Sequence, residues 1–163
     1  MIEVTITPNM VEKAKKKAEE LGRLKNSITK GQGNLAGFIG EYVALKVMGG
    51  KIVNTKDYDI ILPDGSKADV KTKRCTSEPK SWYECSVADF NTTQKCDKYV
   101  FVRVMKDLSK AWILGEMDKE EYYEQSTFLE KGQFDPSNNW TCRADCYNVR
   151  IDVLSEVAQS QSA

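Results

Sequence analysis

The sequence predicts one mixed α/β domain with a central β-sheet flanked by helices. Two observations carry this prediction. The chain changes from helix-like to strand-like periodicity near residue 50, and hydrophobic residues make up 40% of its 163 positions against 29% charged residues. That usage is typical of a globular domain, and the length suits one domain. A disordered or fibrous chain is thereby excluded.

The first part of the chain is mainly helical in pattern. Residues 2–6 alternate like a short strand, and Pro8 then opens a polar helix that is predicted to run to about Gly22. A glycine-rich joint leads to a second helix, residues 34–48, which ends at Gly49.

Strand-like segments dominate the remainder of the chain. The turn Pro63-Asp64-Gly65 joins two of them into a hairpin, and Asp118 caps a short predicted helix, residues 119–125, which a long loop follows. The predicted strands are residues 51–55, 58–62, 66–74, 99–105, 111–116 and 147–153, with an ambiguous further strand at 82–87 before a short helix. These elements place residues 1–157 in a single domain and leave 158–163 as a disordered tail.

The charge pattern narrows the chemistry. The chain has no histidine, which excludes Ser-His-Asp triads, Cys-His pairs and histidine-ligated zinc. Lysine plus arginine equal aspartate plus glutamate at 24 each, but residues 1–106 carry 19 basic and 13 acidic side chains. This local basic surplus favours a ligand that carries phosphate.

The five cysteines and the lack of long apolar runs predict a location. An odd number of cysteines, with no signal-peptide pattern at the N-terminus, is typical of reduced thiols in a cytoplasmic protein. No run approaches the roughly 18 apolar residues of a membrane-spanning helix, so no membrane association is expected. The alternative use of Cys142 and Cys146 is half of a metal site.

Glu41 is the first candidate site residue. It is the only acid on the second helix, whose apolar residues cover most sides and predict burial. A buried carboxylate costs several kcal/mol unless it is paired or binds a metal. The two interpretations are therefore a buried ion pair with a lysine and a site residue.

The hairpin supplies further candidates. Strand alternation places Asp69, Lys71 and Lys73 on one face of the returning strand, and pairing through the Pro63-Asp64-Gly65 turn brings Asp59 close to Asp69. Two strand carboxylates and one helix carboxylate form an all-oxygen pocket of the kind that Mg²⁺ or Mn²⁺ prefers. A neighbouring lysine can orient an attacking water. The alternative is a solvated hairpin face with cross-strand charge pairs.

Glu41, Asp59 and the run Asp69-Val70-Lys71 together resemble the PD-(D/E)XK nuclease superfamily, which includes restriction endonucleases, Holliday-junction resolvases and small phage nucleases. The resemblance covers residues 33–116 and implies a restriction-endonuclease-like core, αβββαβ, with residues 1–30 as an N-terminal extension and 117–157 as a C-terminal helix and strand. It implies that Glu41, Asp59, Asp69 and the Val70 carbonyl ligate Mg²⁺ (or Mn²⁺), and that Lys71 assists the attacking water.

The same resemblance implies DNA as the substrate, cleavage to 5′-phosphate ends and a homodimer as one form of the protein. Basic groups near the predicted site can grip phosphates and an aromatic ring can stack on a base. The candidates for DNA contact are Lys67, Lys73, Arg74, Lys80 and Trp82. The function expected is a metal-dependent DNA endonuclease, and the alternative is a non-catalytic nucleic-acid-binding or scaffold module with the same fold.

Overall fold

A six-stranded mixed sheet forms the middle layer of the protein in the computed structural model, which describes residues 1–25, 34–136 and 139–160. The strand order is β1-β7-β6-β4-β3-β2, and every neighbouring pair is antiparallel except β4 and β6. These strands are β1 (Ile2–Thr5), β2 (Lys51–Ile52), β3 (Ile60–Ile61), β4 (Lys67–Cys75), β6 (Lys98–Met105) and β7 (Lys110–Asp118).

Helices cover one face of this sheet. They are α1 (Pro8–Lys25) and α2 (Leu35–Met48), and α2 packs on β4, β6 and β7. The core between them contains Ile39, Val43, Val70 and Val102, with exposed fractions of 9% or less. Helix α2 lies between the sheet and α1, and the burial that its apolar sequence predicts is confirmed.

A second, smaller sheet covers the other face. Its order is β5-β11-β8, and α3 packs between its strand β11 and the main-sheet strand β7. The shared core is aromatic, with Tyr99, Phe101, Trp112 and Tyr122 at its centre. The elements of this layer are β5 (Glu84–Ala88), α3 (Lys119–Gln125), β8 (Thr127–Leu129) and β11 (Cys146–Arg150), together with the separate hairpin of β9 (Phe134–Asp135) and β10 (Trp140–Thr141).

The structure corrects several predicted boundaries. The strands predicted at 51–55 and 58–62 shrink to two residues each, because a turn at 54–58 replaces their inner ends. Asn54 adopts a left-handed φ of 47°, and the Thr55 hydroxyl accepts hydrogen bonds from two turn N–H groups. The strand predicted at 147–153 ends at Arg150, where a 3-10 turn begins.

Other differences lie in segments that were predicted as loops or ends. The long loop after α3 contains β8, β9 and β10, and α1 continues three residues beyond Gly22. The helix expected after β5 is a 3-10 turn, Asp89–Asn91. Ser160, within the predicted tail, donates its N–H to the Val47 carbonyl at 2.7 Å. The predicted glycine-rich joint and residues 161–163 lie outside the described residues. None of the helices described is both long and apolar enough to cross a bilayer.

Candidate active site

Three predicted carboxylates meet where α2 approaches the start of β3 and β4. Glu41 of α2 and Asp69 of β4 are 6% and 5% exposed, and the Asp59 carboxylate contacts both. The Asp59 N–H donates to the Ala68 carbonyl at 3.0 Å, which holds Asp59 opposite Asp69. The Val70 N–H donates to Asp59 Oδ2 at 2.9 Å. The hairpin geometry expected from the turn sequence is thus present.

A close contact between α2 and β4 allows this convergence. A Cβ atom added at Gly40 would lie 2.0 Å from the Thr72 hydroxyl oxygen, so a larger residue would push the helix away from the strand. Glycine at this position therefore lets the helix backbone approach β4. The neighbouring residue, Glu41, is thereby brought to the strand carboxylates.

Two lysines compensate part of the buried negative charge. Lys17 Nζ of α1 lies 3.3 Å from Glu41 Oε2, and Asn54 Nδ2 donates to the same oxygen at 2.9 Å. Lys71 Nζ lies 2.7 Å from Asp69 Oδ2. The lysine ion pair that was the alternative interpretation of Glu41 is therefore present, and it coexists with the contact between Glu41 and Asp59.

Burial and mutual repulsion change the acidity of the two aspartates. Burial, followed by the charge of Glu41, raises the pKa of Asp59 to about 6. Burial also raises the pKa of Asp69 to about 6, although the ammonium of Lys71 opposes this rise. Both carboxyl groups consequently hold protons more tightly in the folded protein than in water, and a bound cation would favour their ionised forms.

Gln94 is a site residue that the sequence analysis did not include among the candidates. Lys71 Nζ donates to its side-chain oxygen at 3.1 Å, and its amide nitrogen lies 3.3 Å from Asp69 Oδ1. The ring of Tyr99 lies beneath Lys71, with Nζ 5.7 Å from the ring centroid. Gln94 lies in an irregular polar segment, and only the parallel pairing of β4 with β6 brings that segment back to Asp69. These contacts fix the position of the Lys71 ammonium.

The donor chemistry of the cluster fits a hard divalent cation. Carboxylate oxygens are the ligands that Mg²⁺ prefers, and Asp69 Oδ2 is one such buried oxygen. Its only described cation contact is the Lys71 ion pair at 2.7 Å. Within residues 1–25, 34–136 and 139–160, no three His, Cys, Asp or Glu side chains surround one point as a preformed metal site. Glu41 and Asp69 each contact Asp59 instead.

The predicted DNA contacts fall in different places. Lys67 and Lys73 lie on the same face of β4 as Asp69 and Lys71, as strand alternation requires. Arg74 points to the opposite side, where it borders a separate hollow with Lys106. Lys80 and Trp82 are exposed on the segment before β5, and Trp82 is 59% exposed.

A cavity of about 300 Å³ lies between the main sheet and the smaller sheet, next to the carboxylates. Lys71 borders both features, because its side chain contacts Asp69 and also lines the cavity. Lys73, Arg103 and Trp140 line it further along. Sequence inspection missed Arg103, although it is the only charged residue within the apolar run of residues 99–105.

All five cysteines are free thiols, and all but Cys75 are buried. Cys142 Sγ lies 3.7 Å from Cys146 Sγ in a buried position, and burial raises the pKa of Cys142 to about 11.

A scan against models of protein families and a search of curated proteins both find no match for this chain.

Proposed function

We propose that this protein is a metal-dependent nuclease of the PD-(D/E)XK type that hydrolyses phosphodiester bonds in DNA, and that it cuts internally. One observation carries the proposal: the buried carboxylates of Glu41 and Asp69 meet the half-buried carboxylate of Asp59, and the Lys71 ammonium lies 2.7 Å from Asp69. Buried acids of this kind destabilise a fold, so their convergence favours a function that uses them.

The order of elements supports the same proposal. Helix α2 precedes the antiparallel strands β2, β3 and β4, and β6 then pairs in parallel with β4. This arrangement is similar to the helix, three-stranded meander and further strand of the superfamily core. It differs in the connection from β4 to β6, where β5 and a 3-10 turn stand in place of the expected second helix.

The residues of the cluster would have separate roles in this reaction. Glu41, Asp59, Asp69 and the Val70 carbonyl would hold Mg²⁺ or Mn²⁺. The cation supplies Lewis acidity to the scissile phosphate and lowers the pKa of a water molecule. Lys71 orients that water and offsets charge on the phosphate, because Asp69 and Gln94 fix its ammonium from two sides.

Water then attacks phosphorus as the bond to the 3′ oxygen breaks, which leaves a 5′-phosphate and a 3′-hydroxyl. Lys17 forms an ion pair with Glu41 at 3.3 Å, and it would give up part of this contact if a cation were bound there.

A non-catalytic nucleic-acid-binding module is the second candidate function. The ion pair between Lys17 and Glu41 favours it, because a glutamate that is permanently neutralised by lysine has no need of a metal. The two functions differ in one measurable property, since the binding module would retain DNA affinity but show no turnover.

Cleavage assays separate the two functions. Purified protein is incubated with plasmid, linear duplex, single-stranded and four-way-junction DNA in Mg²⁺, Mn²⁺ or EDTA. The nuclease function predicts cutting that needs metal and falls at least about 100-fold in Asp69→Ala and Lys71→Ala. Lys110→Ala, on an exposed lysine of the distant strand β7, is the matched control and should cut normally.

Binding of DNA without cleavage in every metal condition would instead establish the binding module.

A homodimer is the oligomeric state that the resemblance implies for cutting both strands. Light scattering coupled to size-exclusion chromatography tests it, with twice the 18.4 kDa chain mass as the expected value.

A further inference from the structure

The cavity beside the carboxylate cluster has walls of contrasting chemistry. Its volume of about 300 Å³ is at the lower end of the range that ligand pockets occupy, which suits one small organic molecule. The face of β4 and β6 forms one wall, the smaller sheet forms the opposite wall, and the β9–β10 hairpin borders both.

Cations are concentrated on the first wall. Lys71, Lys73 and Arg103 all line the cavity, and Lys73 pairs in register with Arg103 on the neighbouring strand. Lys73 is exposed at the border of the cavity, and partial desolvation there, followed by the charge of the adjacent Arg103, lowers its pKa. Two adjacent cations on one wall favour a bound phosphate.

Apolar and aromatic groups line the interior between these walls. Phe101 and Leu114 are buried in the floor, at 3% and 6% exposure, and Trp140 is 39% exposed at the border. A partly exposed tryptophan beside an apolar floor offers a flat surface on which a planar ring can stack.

The opposite wall presents polar groups that can form hydrogen bonds with the edge of a base. Asn148 is 5% exposed, and its side-chain oxygen accepts a hydrogen bond from the Ser86 hydroxyl. Its amide group donates to Cys146 Sγ and to the Thr127 carbonyl at 3.5 Å. These contacts hold the amide in one orientation and use both of its N–H groups, so the second lone pair of its oxygen is what it can offer to a base. Two acids, Glu84 and Asp135, also belong to the lining of the cavity.

We propose that this cavity binds one unpaired nucleotide of a DNA strand, with its base against Phe101 and Trp140 and its phosphate against Lys73 and Arg103. The inference rests on the proposed function and adds a substrate class to it. A base can enter an enclosed pocket only after it leaves its pair. The preferred substrates are therefore single strands, gaps, flaps and junctions rather than continuous duplex.

Lys71 borders both the carboxylate cluster and the cavity, so the bound nucleotide would lie next to the reacting phosphodiester. The Lys71 ammonium contacts Asp69 at 2.7 Å, and the same side chain lines the cavity. Lys73 lies two residues further along β4, about 7 Å away at the usual strand rise. The pocket would thus anchor the strand within one or two nucleotides of the cut.

The binding experiment uses the full chain in EDTA, so that its outcome does not depend on cleavage. Fluorescence anisotropy is measured with a labelled 12-nucleotide single strand, its perfect duplex, and a duplex with a one-nucleotide bulge. The pocket predicts that the single strand and the bulged duplex bind at least about tenfold more tightly than the perfect duplex.

Variants link the preference to the cavity. Trp140→Leu and Lys73→Gln should each weaken single-strand binding by about tenfold, and Phe90→Leu should not. Phe90 is the matched control because it is an aromatic residue 74% exposed outside the cavity. Lys73→Gln changes an exposed side chain, so it remains informative if Trp140→Leu unfolds.

Equal binding of all three DNAs, or unchanged affinity in Lys73→Gln, would overturn the proposal even if the protein cuts DNA. Binding of free dAMP as tight as that of the single strand would show a nucleotide pocket rather than a strand anchor, and would also overturn it. Single-strand binding that depends on Trp140, without any cleavage, would support the nucleotide pocket and contradict the nuclease function.

Discussion

Replacing Asp59 with asparagine should stabilise the protein in the absence of metal. In the folded chain the pKa of Asp59 is raised to about 6 from 3.8, mainly by burial and then by the charge of Glu41. At about 1.4 kcal/mol per pH unit, keeping this group ionised at pH 8 costs roughly 3 kcal/mol. Asparagine removes that charge and retains an oxygen that can accept the Val70 N–H.

The expected shift is large enough for thermal unfolding to resolve. One kcal/mol changes the Tm of a domain of this size by about 2–4 °C, so Asp59→Asn should raise the Tm by roughly 6–12 °C at pH 8 in EDTA. Asp57→Asn is the matched control, because Asp57 is not among the groups that perturb Asp59. It should leave the Tm nearly unchanged.

The effect should depend on pH in a defined direction. Because the folded protein binds the proton more tightly than the unfolded chain, the free energy of unfolding falls as pH rises from about 4 to about 6. The advantage of Asp59→Asn should therefore shrink between pH 8 and pH 5. A lower Tm for Asp59→Asn than for the wild type at pH 8 would refute the claim that the ionised Asp59 carboxylate destabilises the folded protein.

Three further predictions follow from the same contacts. Gly40→Ala should lower the free energy of unfolding by about 1–3 kcal/mol, because the added methyl group meets Thr72, whereas Gly37→Ala on the same helix has open space and should gain up to about 1 kcal/mol in denaturant titrations. Gln94→Ala should lower kcat at least tenfold with little change in KM, because Lys71 loses a positioning partner; equal loss of DNA affinity would contradict this role. Cleavage at limiting Mg²⁺ should rise as pH passes about 6, since protons compete with the cation for Asp59 and Asp69, and a rate that is flat from pH 5 to 8 would argue against that competition.

Local sequence rules were sufficient for the central part of the site. Glu41 was recognisable as a lone acid on an apolar helix, and it is buried. The short turn after β3 determined that Asp59 and Asp69 face each other, because hairpin pairing fixes the register. Arg103 obeys the same rule as Glu41, as a lone charge in an apolar strand, and the rule could have been applied to it.

The contacts that depend on distant segments could not be predicted in this way. Lys17 reaches Glu41 from another helix, and Gln94 reaches Asp69 only because β4 and β6 pair in parallel. Strands β9 and β10 have two residues each, which is too short for any alternation to show. The cavity could therefore not be predicted from the sequence, because its second wall is formed by β5 and β11 and its border by this hairpin.

Direct measurement of cation binding tests the central claim, that Glu41, Asp59 and Asp69 together hold a divalent ion. Mn²⁺ is titrated into the full chain at pH 7.5 and followed by isothermal titration calorimetry and electron paramagnetic resonance. The account predicts one ion per chain, with affinity lowered at least tenfold in Asp69→Asn and unchanged in Asp97→Asn, a carboxylate bonded to the Lys67 N–H. No bound ion, or equal binding by the wild type and Asp69→Asn, would contradict it.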